Sequence, residues 1–99
     1  MLMIREVMHC KPGKVREMVK KFKDLNTVIQ RMGFKPFRLC TDLCGEQFWT
    51  VVAEGEAENL NSFLDMENRV MADEAAQKAM AGYHDLVSDG RRELYRIEG

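Results

Sequence analysis

The chain has 99 residues, enough for one hydrophobic core but too few for two, so we expect a single domain over residues 1–99. Its charges nearly cancel, with 15 Lys and Arg against 16 Asp and Glu, so the composition predicts no nucleic-acid partner. The apolar opening is interrupted by Arg5 and Glu6, and we therefore predict no signal peptide, no membrane association and a cytoplasmic location. An odd number of cysteines, three, favours reduced thiols over disulfides.

The first half of the chain begins with an extended apolar run from Met1 to Cys10, which ends at the turn Lys11-Pro12-Gly13-Lys14. An amphipathic helix is expected over residues 13–32, because apolar residues recur there in steps of three and four. Pro12 suits a first helical turn and Gly33 suits a left-handed C-terminal cap. The apolar stripe consists of Val15, Met18, Val19, Phe22, Leu25, Val28, Ile29 and Met32.

A hairpin of two strands is expected next, from Phe34 to Leu39 and from Phe48 to Ala53. Gly55 is predicted to end the second of these strands. A further helical region follows from Leu60. We expect it to break near Ala72, because the next residue, Asp73, can cap a new helix.

The chain is predicted to close with a turn at residues 88–90 and a strand from Arg92 to Ile97. The resulting order of elements, β-α-β-β-α-β, predicts an α+β, ferredoxin-like sandwich. Its four-stranded antiparallel sheet would have the order 4-1-3-2, with both helices on one face. Both sides of the central strands contain apolar residues, so we expect the uncovered face to pair with a second copy of the chain as a homodimer.

The sequence resembles the dimeric α/β-barrel superfamily in several features. These are the Pro-Gly turn at residues 11–14, a helix carrying Phe22, the Phe48-Trp49 segment, a broken second helix and the closing segment of residues 90–95. The resemblance is to its branches similar to antibiotic-biosynthesis monooxygenases and to NIPSNAP proteins. It implies a dimer with a pocket between sheet and helices. Because the chemistry differs among branches, it implies no single reaction.

Cofactor-independent oxygenation is one activity that the resemblance allows. It would require aromatic walls and a few cationic or hydrogen-bonding groups that bind a flat, electron-rich molecule. On the predicted strands and helix ends, the pocket-lining candidates are Arg5, His9, Phe48, Trp49, Thr50, His84 and Arg96. Aromatic residues on a central strand are also typical of a core. Arg96 is expected to pair with Glu6, which would make those two residues structural.

A metal or haem site would depend on the histidines and cysteines of the chain. The topology is expected to bring His9, Cys10, Cys40, Cys44 and His84 to one end of the sheet, and sulfur with imidazole suits zinc or copper. However, Cys40 and Cys44 flank a hairpin turn with no second pair of ligands, so we predict free thiols, no metal and no cofactor. Haem would need His9 or His84 as its axial ligand. A position at a helix C-terminus explains His84 without haem, and His9 is expected to be half-exposed beside its turn.

Three functions therefore remain open. The first is a small homodimeric pocket protein that acts as a cofactor-independent monooxygenase on an aromatic or polyketide-like small molecule. The second is a non-catalytic stress-response or interaction module, in which polar strand residues fix the register of the dimer. The third is a haem-binding or haem-degrading protein. No phosphate loop, nucleophile elbow or zinc-protease helix is found in the sequence.

Overall fold

Four strands form one antiparallel sheet, and the helices cover a single face of it. The computed structural model describes all residues from 1 to 99. Its Cα trace measures 35 × 34 × 17 Å, and the shortest dimension is the thickness of two layers of secondary structure. In chain order the elements are β1 Leu2–Cys10, α1 Val15–Arg31, β2 Arg38–Thr41, β3 Thr50–Ala57, α2 Leu60–Met71, α3 Glu74–Met80, a 3-10 turn Tyr83–Asp85, and β4 Val87–Arg96. The strand order is β2-β3-β1-β4. This is the predicted order 4-1-3-2 read from the other edge, so the ferredoxin-like α+β fold is confirmed.

Helix α1 lies where the apolar periodicity predicted it. Its buried residues are Met18, Val19, Phe22, Leu25, Val28 and Ile29. It starts two residues later than expected, because Gly13 has a φ of 79° and stands in the turn that precedes the helix, together with Pro12. Gly33 has a φ of 87° and donates its N–H to the carbonyl of Gln30, so the predicted left-handed cap is confirmed.

The second helical region is broken as predicted. Helix α2 ends at Met71, and the side chain of Asp73 accepts hydrogen bonds from Ala75 N (2.8 Å) and Ala76 N (3.3 Å) to begin α3. The N-cap of α2 is Asn59, whose side chain accepts from Ser62 N at 2.8 Å. The capping residues therefore set where both helices begin.

The boundaries of the last three strands differ from the prediction, and β2 is Arg38–Thr41 instead of a strand from Phe34 to Leu39. Strand β3 begins at Thr50, because Trp49 has a positive φ of 65° that an extended strand does not allow. Phe48 and Trp49 thus belong to the loop before β3, and Gly55 lies inside the strand. Residues 88–90 are not a turn but part of β4. Asp89 and Gly90 pair with β1, and Ser88 lies at the irregularity in register between His9 and Cys10.

The strand register separates two faces of the sheet. Directly opposed residues of antiparallel strands share a face, so Glu6 and Met8 point toward the helices with their partners on β3 and β4. We call this the helix face. The other side is called the open face, and its positions are Met3, Arg5, Val7, His9, Arg38, Cys40, Thr50, Val52, Glu54, Glu56, Asp89, Arg91, Glu93 and Tyr95. The open face is therefore mixed, with several charged positions among the predicted apolar ones.

No helix in the structure combines the length and the apolar character that crossing a bilayer requires.

Gly55 is the position where the core tolerates no side chain. A Cβ atom built there would stand 2.8 Å from Cδ1 of Phe37. We expect Gly55→Ala to reduce the free energy of unfolding by about 1–3 kcal/mol, because the Phe37 ring must leave its place. Urea titration of this variant, with and without Phe37→Ala, measures the coupling. An equal cost in both backgrounds would show that the clash with Phe37 is not the cause.

Candidate functional site

A cavity of about 240 Å³ lies between the helix face of the sheet and the three helices. Its walls are predominantly apolar, with four methionines and three phenylalanines. The lining residues are Glu6, Met8, Phe22, Leu25, Ile29, Phe37, Phe63, Met66, Glu67, Val70, Met71, Met80, Tyr83 and Arg92. Methionine side chains adapt to irregular ligand shapes and make favourable contacts with aromatic rings. The cavity is thus suited to a small, largely apolar molecule.

One corner of this cavity is ionic. Arg92 Nε donates to Glu6 Oε1, while its Nη1 and Nη2 donate to the carboxylate of Glu67, the Nη1 bond being 3.3 Å long. The guanidinium also lies over the ring of Phe63, 5.0 Å from its centroid. We call Glu6, Glu67 and Arg92 the acid corner, because its formal charge is one negative unit.

Local structure explains how the acid corner is assembled. Glu6 and Arg92 are directly opposed on β1 and β4 and therefore share the helix face. Phe63 and Glu67 are four residues apart on α2, so both project from the same side of that helix. Arg92 thus connects the sheet to α2.

The acid corner changes the acidity of Glu6. Burial raises the pKa of Glu6 above its ordinary value; Arg92 partly offsets this effect by charge and hydrogen bonding, and Glu67 adds to it by repulsion. Hydrogen bonding to Glu67 raises the pKa of Arg92, which therefore stays charged. A carboxylate made more basic at the wall of an apolar cavity can accept a proton from a bound hydroxyl group.

The expected ion pair between Glu6 and Arg96 is not formed. Arg92 is opposite Glu6, whereas Arg96 is opposite Leu2, four residues further along β4. The partner of Glu6 was thus predicted on the right strand but at the wrong residue. Arg96 makes no ion pair in the structure, whose salt bridges on β4 involve Asp89, Arg91, Arg92 and Glu93.

The open face carries a row of alternating charge across all four strands. Arg5 Nη1 donates to Glu93 at 2.9 Å, and Arg5 Nε lies 3.8 Å from Glu54. Arg38 Nη2 extends the row by contacting Glu54 at 3.2 Å. The order of charges from β4 to β2 is therefore negative, positive, negative, positive. We call these four residues the charge ladder.

His9 lies at the end of the open face that the loop of residues 42–49 approaches. It is buried, with 8% of its surface exposed, rather than half-exposed as expected. Its Nδ1 lies 2.8 Å from Asp89 Oδ1, and Glu46 of the loop comes within 3.7 Å of its Nε2. Two buried polar atoms of the chain have no hydrogen-bond partner, His9 Nε2 and Arg5 Nε, and both belong to this face.

The seven predicted pocket residues fall outside the apolar cavity. Arg5, His9 and Thr50 are on the open face. Phe48 and Trp49 line a separate surface depression together with Gly13, Val15, Arg16, Thr41 and Asp42. His84 stacks on Tyr83, with ring centroids 4.0 Å apart, and lines a depression beside the acid corner, while Arg96 is near the end of β4. Their contact with a ligand stays a prediction.

The histidines and cysteines expected at one end of the sheet do not form a cluster. Cys10 is buried, Cys40 is exposed on β2, and Cys44 is exposed in the loop. No group of three His, Cys, Asp or Glu side chains in the structure is arranged to hold a metal ion. All three thiols are free.

Sequence reasoning missed the acid corner. Glu6 and Arg92 are separated by more than eighty positions, and their pairing depends on a strand register that the sequence does not specify. One local signal is present in the sequence: Glu67 follows Phe63 at helical spacing, which places an acid beside the buried face of α2.

No family model matches the sequence, and no curated protein matches it. Solved structures do match. Atu4242 from Agrobacterium tumefaciens, a NIPSNAP family protein of unknown function, superposes with a TM-score of 0.84 at 16% identity, covering 99% of this chain and 94% of its own. An uncharacterised NIPSNAP domain protein from Burkholderia xenovorans gives 0.80 at 19% identity, covering 99% and 95%.

A third similar structure comes from Deinococcus radiodurans and is provisionally assigned as an antibiotic biosynthesis monooxygenase. Its TM-score is 0.69 at 13% identity, and the alignment covers 100% of this chain and 94% of that one. At such identities the similarity establishes the fold alone. The predicted resemblance to the NIPSNAP-like and monooxygenase-like branches is therefore confirmed at the level of fold.

Proposed function

We propose that this chain, a small pocket protein with the fold of NIPSNAP and monooxygenase-like proteins, is a cofactor-independent monooxygenase acting on a small hydroxylated aromatic molecule. The observation that carries the proposal is Glu6, a carboxyl group of raised pKa at the wall of an apolar cavity. The provisional assignment of the Deinococcus radiodurans protein supports the same reaction class.

The size of the cavity limits the substrate. A volume of about 240 Å³ is below the range of roughly 300–1,000 Å³ of pockets that bind drug-sized ligands. We therefore expect a substrate of few fused rings. Methionine and phenylalanine walls contact its faces, and the acid corner binds its hydroxyl group.

The proposed reaction converts an activated methylene group and O2 into a carbonyl group and water. The substrate reacts as its enol tautomer, in which one methylene hydrogen has moved to the oxygen and one C–H bond remains. Glu6 accepts the proton of this hydroxyl group, and the resulting anion is delocalised onto the former methylene carbon. This anion passes one electron to O2, and the superoxide and carbon radical combine to form a C–O bond. The peroxide takes the proton back from Glu6. The hydroperoxide then loses water, which breaks the O–O bond and the remaining C–H bond and leaves C=O.

Oxygen consumption tests this proposal directly. The protein is mixed with naphthalen-1-ol, naphthalene-1,4-diol or anthrone in the presence of EDTA, and uptake is corrected for autoxidation without protein. We expect catalysed uptake with at least one of these compounds, and one carbonyl group formed per O2 where a methylene group is present. Binding without any catalysed uptake would reject the oxygenase.

A non-catalytic module is the second candidate function. It is favoured by the internal pairing of the acid corner, where both carboxylates already bind Arg92 and would stabilise the fold without any ligand. Under this alternative none of the aromatic compounds binds. Calorimetric titration of the same compounds therefore separates the two functions.

We also propose that two copies associate through the open face, as predicted from the sequence. The charge ladder alternates in sign, so a second ladder laid in the reverse direction places opposite charges against each other. The two buried polar atoms that have no partner also belong to this face. Sedimentation equilibrium at micromolar concentration is expected to give twice the chain mass of 11.5 kDa. A single 11.5 kDa species would contradict the dimer.

A cytoplasmic location is part of the same proposal. It is supported by three free thiols, two of them exposed, which a reducing compartment preserves.

A further inference from the structure

The cavity has only three ionised side chains on its walls, and their charges do not sum to zero. Glu6 and Glu67 contribute two negative charges, and Arg92 contributes one positive charge. All other lining residues are apolar apart from the hydroxyl group of Tyr83. A ligand in this cavity therefore meets an excess of hydrogen-bond acceptors.

Arg92 has little capacity left for an anionic ligand. Its Nε, Nη1 and Nη2 atoms each donate to a carboxylate, which uses three of the five N–H groups of a guanidinium. One flat side of the guanidinium is covered by Phe63. An incoming carboxylate would have to displace Glu6 or Glu67, or remain beside them in an apolar cavity where like charges repel strongly.

Glu67, on α2, contributes the excess negative charge of the cavity and occupies donors of Arg92. It binds Arg92 through two nitrogen atoms, whereas Glu6 binds through one. Its carboxylate is about one-third exposed, so it stands at the outer side of the acid corner, where a head group would enter. Neutralising Glu67 releases donors of Arg92 and removes the excess negative charge.

We propose that the cavity selects ligands whose head group donates a hydrogen bond and excludes carboxylates of the same shape, and that Glu67 is the residue that sets this selectivity. The inference rests on the proposed function, since it assumes that this cavity holds the ligand. It adds the head-group class and a specificity-determining residue that plays no part in the reaction steps.

Two probes that share the same ring system test the selectivity. Naphthalen-2-ol is neutral at pH 7 and donates a hydrogen bond, whereas naphthalene-2-carboxylate is an anion, and their intrinsic fluorescence reports binding. We expect the wild type to bind the hydroxyl compound at least about tenfold more tightly, a difference of about 1.4 kcal/mol. In Glu67→Gln we expect the ratio to fall below about threefold, because the carboxylate gains access to Arg92.

Asp65→Asn is the matched control. Asp65 is an acid on the same helix that pairs with Arg69 and does not line the cavity. Its removal changes the net charge by the same amount and is expected to leave the ratio as in the wild type. A ratio that changes equally in both variants would show that overall charge, and not Glu67, discriminates.

The outcomes separate this inference from the proposed function. Equal binding of both probes by the wild type overturns the selectivity and leaves the pocket function standing. Binding of neither probe overturns the pocket function itself. An unchanged ratio in Glu67→Gln removes the role of Glu67. The comparison of the two probes on the wild type needs no variant, and Glu67→Ala replaces Glu67→Gln if circular dichroism shows that the latter is misfolded.

Discussion

Glu6→Gln is expected to lower the rate of catalysed oxygen uptake by about 10²–10⁴-fold, the usual contribution of a positioned general base. Glutamine keeps the shape of the side chain and an oxygen acceptor for Arg92, but it cannot take the hydroxyl proton. The change therefore affects the turnover number more than the binding of the substrate. Oxygen-electrode measurements on the substrate identified with the wild type provide both quantities.

Glu54→Gln is the control for this variant. Glu54 is also a carboxylate on the sheet and contacts two arginines, but it belongs to the charge ladder on the open face. It should leave the rate of oxygen uptake close to that of the wild type. Equal loss in both variants would indicate a general structural effect instead of proton transfer by Glu6.

The pH dependence gives a second check on Glu6. The base acts only when it is ionised, and burial raises its pKa above the ordinary carboxyl value. Activity should therefore rise with pH through a midpoint above about 4.3, the value of a free glutamate. A midpoint at or below that value would mean that another group is the base.

Ile29→Ala is expected to reduce the free energy of unfolding by about 3–4 kcal/mol. Ile29 is 1% exposed and lies on the buried stripe of α1, where it also forms part of the cavity wall. Removing three carbon atoms there costs their burial, and the rigid sheet behind them prevents the core from closing around the gap. Urea denaturation followed by circular dichroism measures the loss.

Gln30→Ala is the neighbouring control, since Gln30 is exposed on the same helix. Its effect should remain within about 0.5 kcal/mol. If Ile29→Ala costs no more than Gln30→Ala, the region around Ile29 is not packed as the structure describes it.

Local patterns predicted the parts of the fold that depend on neighbours in sequence. The spacing of apolar residues located the buried face of α1, and the capping ability of Asp73 located the break between α2 and α3. The strand order followed from the succession of elements and the handedness of their connections. Each of these rests on interactions within a few residues or on general rules of chain geometry.

Features that depend on distant residues were not predicted correctly. The segment Phe48-Trp49 is as apolar as a strand, but the left-handed backbone of Trp49 assigns it to a loop. Residues 88–90 resemble a turn, yet pairing with β1 keeps them extended. The same register decides that Arg92 faces Glu6, which is why the partner of Glu6 was predicted on β4 but at the wrong residue.

The three thiols differ in solvent exposure, so their rates of alkylation measure which surfaces are accessible to water. Burial raises the pKa of Cys10, which should leave it unreactive toward alkylating agents, whereas Cys44 is freely accessible in its loop. Cys40 is exposed on the open face beside Val52. Its rate of alkylation therefore measures whether that side of the sheet is bare or covered, with Cys44 as an internal standard in the same molecule.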